Sequence, residues 1–252
     1  MRWIVRVGVL LAVLILLAVG ALALIPSERV AALIASEFQA ATGRKLDLSG
    51  DLSPRLWPSL GVTTGPVSIA NTDWAEGEGP LFRAESLSID INLSALLGGE
   101  LRLQGISADQ PVINLERSSD GRENWAFAPD GADGAASVPA AATGFTLDRG
   151  TITGGSLRFV DRATGRSVLL DDVDATLAIP DYAGAFTLDL QGLSAGKPVS
   201  LALSGGVFSA FAAGRVVPLT ATLTAGGSTL AFDGRAGMSP LAAEGSLAVD
   251  LA

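Results

Sequence analysis

Three carboxylates crowd together at Asp171, Asp172 and Asp174, in a chain of 252 residues with no histidine and no cysteine. Two acids on one strand face can divide the roles of general acid and general base in a hydrolysis. Asp172 and Asp174 share a face if the segment is extended, because side chains alternate along a strand. They stand at the start of the alternating run Val173, Ala175, Leu177, Ile179, where acids on the polar face read as a solvated strand edge. Lacking His and Cys, the chain cannot build a Ser/His/Asp triad, a Cys/His pair, a thiolate metal site or a haem ligand. The expectation is a protein that is not an enzyme and holds no metal or cofactor.

Stepping outward from those acids, the net charge of -9 repels nucleic acid, and no Lys/Arg cluster reverses that locally. No nucleic-acid partner is expected. Residues 7–25 carry no charge, and Val7, Leu11, Leu14, Leu17, Leu22 and Ile25 mark an apolar run that as a helix is roughly 28 Å long, enough to cross a bilayer core. Arg2 and Arg6 precede the run and Glu28 is the first charge after it, which predicts a cytoplasmic N-terminus and export of the rest. A cleaved secretory signal, cut near Ala21-Leu22-Ala23, is the alternative. Retention is the expectation, because the apolar run continues through Leu24 and Ile25.

The pattern divides the chain into a cytoplasmic tip and anchor over 1–26, a β domain with a leading helix over 27–127, a linker over 128–144 and further β repeats over 145–252. Ser27 and Glu28 read as a helix start and Gly43 as its stop, with Val30, Leu33, Ile34, Phe38 and Ala41 on one face of a helix over 27–41. From Arg44 the period is two. The linker is Ala, Gly, Pro and Asp, too poor in large apolar side chains to offset its ordering entropy. Asp120-Gly121 predicts a turn, with residues 124–127 returning as a hairpin partner. No second substantial helix is expected outside the membrane. The last strand runs into Ala252 without turn, cap or polar tail, as if cut from something longer.

The fold class predicted is mainly β: a long, curved antiparallel sheet with one apolar face. Leu46 and Leu48 open the series, followed by Leu87, Ile89, Ile91 and Leu93, then Leu101 and Leu103, then Ile113 and Leu115. Past the linker Val173, Leu177 and Ile179 continue it, then Leu188 and Leu190, then Leu201 and Leu203. Each large side chain left wet forgoes roughly 1.5–3 kcal/mol, so the face demands a cover. A second sheet would make a sandwich, and an open trough would take an acyl chain; periodicity does not choose between them.

The order of local motifs resembles the N-terminal region of the AsmA family. Thr42-Gly43-Arg44 leads into Leu46-x-Leu48-x-Gly50, then Leu56-Trp57-Pro58 and Val67-x-Ile69-Ala70-Asn71. The strand over 87–93 runs on to Leu96-Leu97-Gly98-Gly99, followed by Ile106, Pro111, Asp120-Gly121 and Asn124-Trp125. Gly155-Ser156-Leu157, Phe159, Asp161 and Thr164-Gly165 look like the continuation, so the resemblance extends to about Ile179. It implies an inner-membrane protein with its bulk in the periplasm, whose lipid-lined β-groove helps carry phospholipid toward the outer membrane. The partners implied are the inner-membrane bilayer, phospholipid acyl chains, and an outer-membrane or periplasmic protein. A periplasmic scaffold for outer-membrane protein assembly, closed as a sandwich, is the competing reading. A groove spanning both membranes needs a longer sheet than this chain contains.

Overall fold

The computed structural model describes residues 27–50, 52–55, 59–77, 79–92, 94–95, 102–126, 146–238 and 241–251. The predicted anchor, the 128–144 linker, Leu93 and Leu101 lie outside them. Among the described residues no helix is long and apolar enough to cross a membrane.

Helix α1, Ser27–Thr42, ends where the sequence signals it. Gly43 takes a left-handed φ of 68° and returns its N–H to the Gln39 carbonyl at 2.8 Å. Among the described residues fifteen strands follow in one open, curved sheet. The first eight are β1 (Leu46–Leu48), β2 (Ser53–Arg55), β3 (Leu60–Thr64), β4 (Val67–Ile69), β5 (Phe82–Ala84), β6 (Ser86–Ile91), β7 (Leu103–Asp109) and β8 (Val112–Arg117). Longer strands come next: β9 (Leu147–Asp161), β10 (Arg166–Ile179), β11 (Phe186–Ser194) and β12 (Lys197–Gly205). The short helix α2 (Phe208–Ala212) precedes β13 (Val217–Ala225), β14 (Ser228–Met238) and β15 (Leu241–Asp250).

The eight short strands are four long ones, each broken once. β3 pairs with β6 and β4 with β5 in one continued register, and β6–β7 and β5–β8 repeat the arrangement. The breaks fall after Leu48, at Gly65-Pro66, at Glu85 and at Gln110-Pro111. The β9–β10 hairpin deforms at the same level, where Gly154 and Asp172 take φ of 58° and 50° and the register slips between Leu170 and Val173. Aligned across neighbouring strands, these breaks form a bend line running across the sheet. Chains approach closely there: a Cβ on Gly50 would overlap the Gly65 backbone.

The bend folds apolar side chains onto one another. Val67 and Ala84 on one side and Ala108 on the other form a buried cluster, flanked by Leu46, Leu48, Phe82 and Leu87. A second cluster joins Leu147, Ile179 and Phe186, with Leu103, Ile106, Leu177, Leu203 and Leu219 packed against it.

Two expectations are corrected and one is extended. The sheet is not wholly antiparallel, because β9 runs parallel to both β7 and β8, each partner lying 44 residues further along the chain. Parallel neighbours need a long return connection, and the chain between β8 and β9 supplies it. A second helix exists: α2 sets Phe208 and Phe211 three residues apart over Phe186, with ring centroids 5.5 and 5.1 Å away. One and a half turns are too few to register as a period. The stretch after Asp120-Gly121 does not return as a strand; it makes one bridge, Arg117 with Glu123, and then turns.

That turn delivers Asn124, which is fully buried, into a polar network. Its Oδ1 accepts from the Glu116 N–H at 2.8 Å, and its Nδ2 donates to the Asn114 carbonyl at 2.8 Å and to Asn71 Oδ1 at 3.0 Å. Glu116 is buried beside it, accepting from Arg162 Nε at 2.9 Å and from the N–H groups of Glu76 at 3.2 Å and Gly77 at 2.9 Å. Burial raises the Glu116 carboxyl, but the Arg162 hydrogen bond, the two backbone N–H groups and the Arg162 charge outweigh it and hold the group below its ordinary 4.5. A lowered folded pKa stabilises fully above the unfolded value and is lost as pH falls through the folded one. In urea unfolding, the parent's advantage over Glu116→Gln is therefore expected to be complete at neutral pH and to shrink as pH drops below about 5. An advantage that stays constant with pH would rule out ionisation of Glu116 as its source.

Candidate functional site

Residues directly opposite one another in a ladder share a face, so register converts the alternating strands into rows. One row runs Val62, Ile89, Ile106, Gly150, Leu177, Leu188, Leu203, Ala221, Phe232, Leu247. A second, two residues away along each strand, runs Thr64, Leu87, Ala108, Ile152, Ala175, Leu190, Leu201, Leu223, Leu230, Val249. Ten strands at about 4.8 Å spacing make an apolar band roughly 43 Å long.

The band is covered through its middle and barest at the β15 end, while at the β3 end Val62 is 39% exposed. Around Leu87 and Ala108 the bend closes over it. Around Ile106, Leu177 and Leu203 the second core and α2 cover it, with α2 tied down by the Phe208 N–H to the Gly184 carbonyl at 2.8 Å and the Ser209 N–H to the Tyr182 carbonyl at 2.9 Å. A Cβ on Gly205 would overlap the Phe186 ring that α2 packs against, so the glycine leaves room for this cap. Beyond β12 the cover thins, although Val217 and Leu219 at the start of β13 stay covered. Leu223 and Leu230 are each 37% exposed, Val249 56% and Leu247 60%.

The opposite face is polar and carries the hollows. A cavity of about 650 Å³ is lined there by Thr151, Thr176, Asp189, Ser200, Thr222 and Thr224, among others. Asp174 accepts the Gly154 N–H at 3.0 Å, bracing the β9–β10 bulge, while Asp172 occupies its left-handed position and Asp171 is exposed beside it. No group of three or more acids among the described residues is arranged to hold a metal ion.

The residues expected to line one face are distributed unequally by the bend. Leu46 and Leu48 pack beside Val67, and Ile113 and Leu115 on β8 pair with Leu157 and Phe159, all in the bent half. Leu87, Ile89 and Ile91 stand across the bend line on β6, and Leu103 beneath the second core. Val173 and Ile179 are fully covered. Leu177, Leu188, Leu190, Leu201 and Leu203 lie in the two rows and lead to the bare end. Sequence reading did not single out Val62, Ile152 or the bare tip itself; Leu223, Leu230, Leu247 and Val249 carry the same alternation, but their exposure depends on where the cover ends.

No curated protein and no solved structure matches the chain at a significant level. A family model does match, over residues 1–183, which takes in the helix, the bend, both buried clusters' N-terminal partners and the first ten strands. A match over that share of the chain makes this protein a member of the AsmA family.

Proposed function

We propose that this protein is held in the inner membrane by residues 7–25, N-terminus inside and bulk in the periplasm, and that its bare apolar rows receive phospholipid acyl chains on their way toward the outer membrane. The observation that carries the reading is the pair of rows through β11–β15, whose side chains are aligned strand to strand and are most exposed on β15, with Leu247 at 60% and Val249 at 56%. Each methylene covering them is worth about 0.8 kcal/mol, which an acyl chain lying across the strands supplies and water does not. Catalysis, cofactors and nucleic acid have no part in the proposal.

A photo-crosslinking residue at position 223 or 247 in membrane-embedded protein is expected to capture phospholipid. Leu230→Asp, placed between those positions, is expected to abolish capture and leave the melting temperature within a few degrees of the parent, because the position is already wet. Capture of nothing by a folded parent sinks the lipid reading. Capture of protein instead supports the second reading, a scaffold for outer-membrane protein assembly, which is favoured by the bent half, where apolar sides already cover one another.

A further inference from the structure

We infer that the first two turns of α1 lie in the lipid–water interface, with Leu33 and Ile34 dipped into the bilayer surface. The inference rests on the anchor reading of residues 7–25 and adds to it how the folded part meets the membrane. Ala31, Ala35, Phe38 and Thr42 are half-buried, and the helix's main contact is with β1. Leu33 is turned away from that contact and Ile34 lies on its flank, at 61% and 43% exposed. A helix that covers a small part of its circumference with protein and presents adjacent large aliphatics on another part needs a second cover.

Chain continuity identifies that cover as lipid. The uncharged run ends at Ile25, two residues before α1 begins, and Leu33 and Ile34 lie roughly 10 Å along the helix from its start. Anything within that reach of a membrane-crossing segment is at the headgroup and upper acyl level, where amphipathic helices bury their apolar flank. The flank also has an end. Glu37 stands four residues after Leu33 and three after Ile34, on the same side one turn later, and is exposed. A carboxylate there fits a helix that rises out of the interface as it approaches β1. It does not fit an apolar protein groove running the length of the helix.

The chain has no cysteine, so a single one can be introduced and spin-labelled without background. Full-length protein carrying Leu33→Cys, Ile34→Cys, Ser36→Cys or Glu37→Cys would be reconstituted in phosphatidylethanolamine/phosphatidylglycerol vesicles. Nitroxide relaxation would then be compared between oxygen, which partitions into lipid, and a water-soluble nickel chelate. At 33 and 34 oxygen is expected to be the better relaxant by several-fold; at 36 and 37 the order reverses. Vesicle-bound protein with 33 and 34 as open to nickel as 36 overturns the inference and leaves the anchor standing. Shielding of 33 and 34 from both relaxants also overturns it, since a protein surface then covers them. Protein that fails to stay with the vesicles overturns both readings. Phospholipid capture at position 223 is read separately and moves with neither result.

Discussion

Ile179→Asp is expected to unfold the protein, whereas the chemically identical change at Leu230 is expected to leave it folded. Ile179 is 2% exposed and packed with Leu147 and Phe186 under the α2 aromatics. An unpaired buried charge forces the site to open or the acid to stay protonated, and together with lost packing this costs about 4–5 kcal/mol or more, much of a domain's whole stability. Leu230 lies two rows away on the same face, yet water already reaches it. Urea unfolding of the two variants side by side is the measurement. Equal destabilisation would mean that the rows are covered from end to end, and the open-face reading would fail with it.

The second large effect is expected at Asn124. Replacing it with Ala deletes the acceptor for the Glu116 N–H and the donors to Asn114 and Asn71, all at a position with no solvent access. Each buried group left without a partner costs about 1–3 kcal/mol, so Asn124→Ala should destabilise by about 3–4 kcal/mol. Asn124→Asp keeps the acceptor but turns an oxygen toward the Asn114 carbonyl and Asn71 Oδ1, and is expected to be worse although it is nearly isosteric. If Asp proves milder than Ala, the amide donors contribute little and the network is held chiefly by Glu116 and Arg162. Thermal melts of the two variants decide it.

Much of the fold was legible in the sequence because its information is local. Period two located the strands, and Gly43 the end of α1, since each depends on residues a few positions apart. Gly50, Gly65-Pro66, Gln110-Pro111 and Gly154 each bring a turn-type Gly or Pro to a break, but the sequence reading did not connect them. Their alignment into one bend line depends on register, which the period of a strand does not contain. The same gap explains the site. Leu46, Leu87, Ile179 and Leu201 carry the same alternation, and what separates covered from bare is which strand the bend or α2 brings over them. Asn124 was read as part of a returning strand; its use is instead through its side chain, satisfying backbone groups that only the folded turn brings near.

The constant separation of 44 residues between the β7–β8 line and β9 has a consequence for how the sheet is assembled. The β11–β12 pair closes at Ser194 and Lys197, a loop of a few residues. Loop-closure entropy grows as the logarithm of length, so joining β7 and β8 to β9 costs about 2 kcal/mol more than closing that hairpin, before any side chain has packed. Hydrogen-bond geometry is shared across the sheet, but entropic debt is not. The C-terminal meander is made of short closures and ends in uncovered leucines, while the bent half meets its longer closure with the Val67 cluster and the Asn124 network. Contact order within one continuous sheet thus changes from one end to the other, and the end with the least to repay is the one left bare.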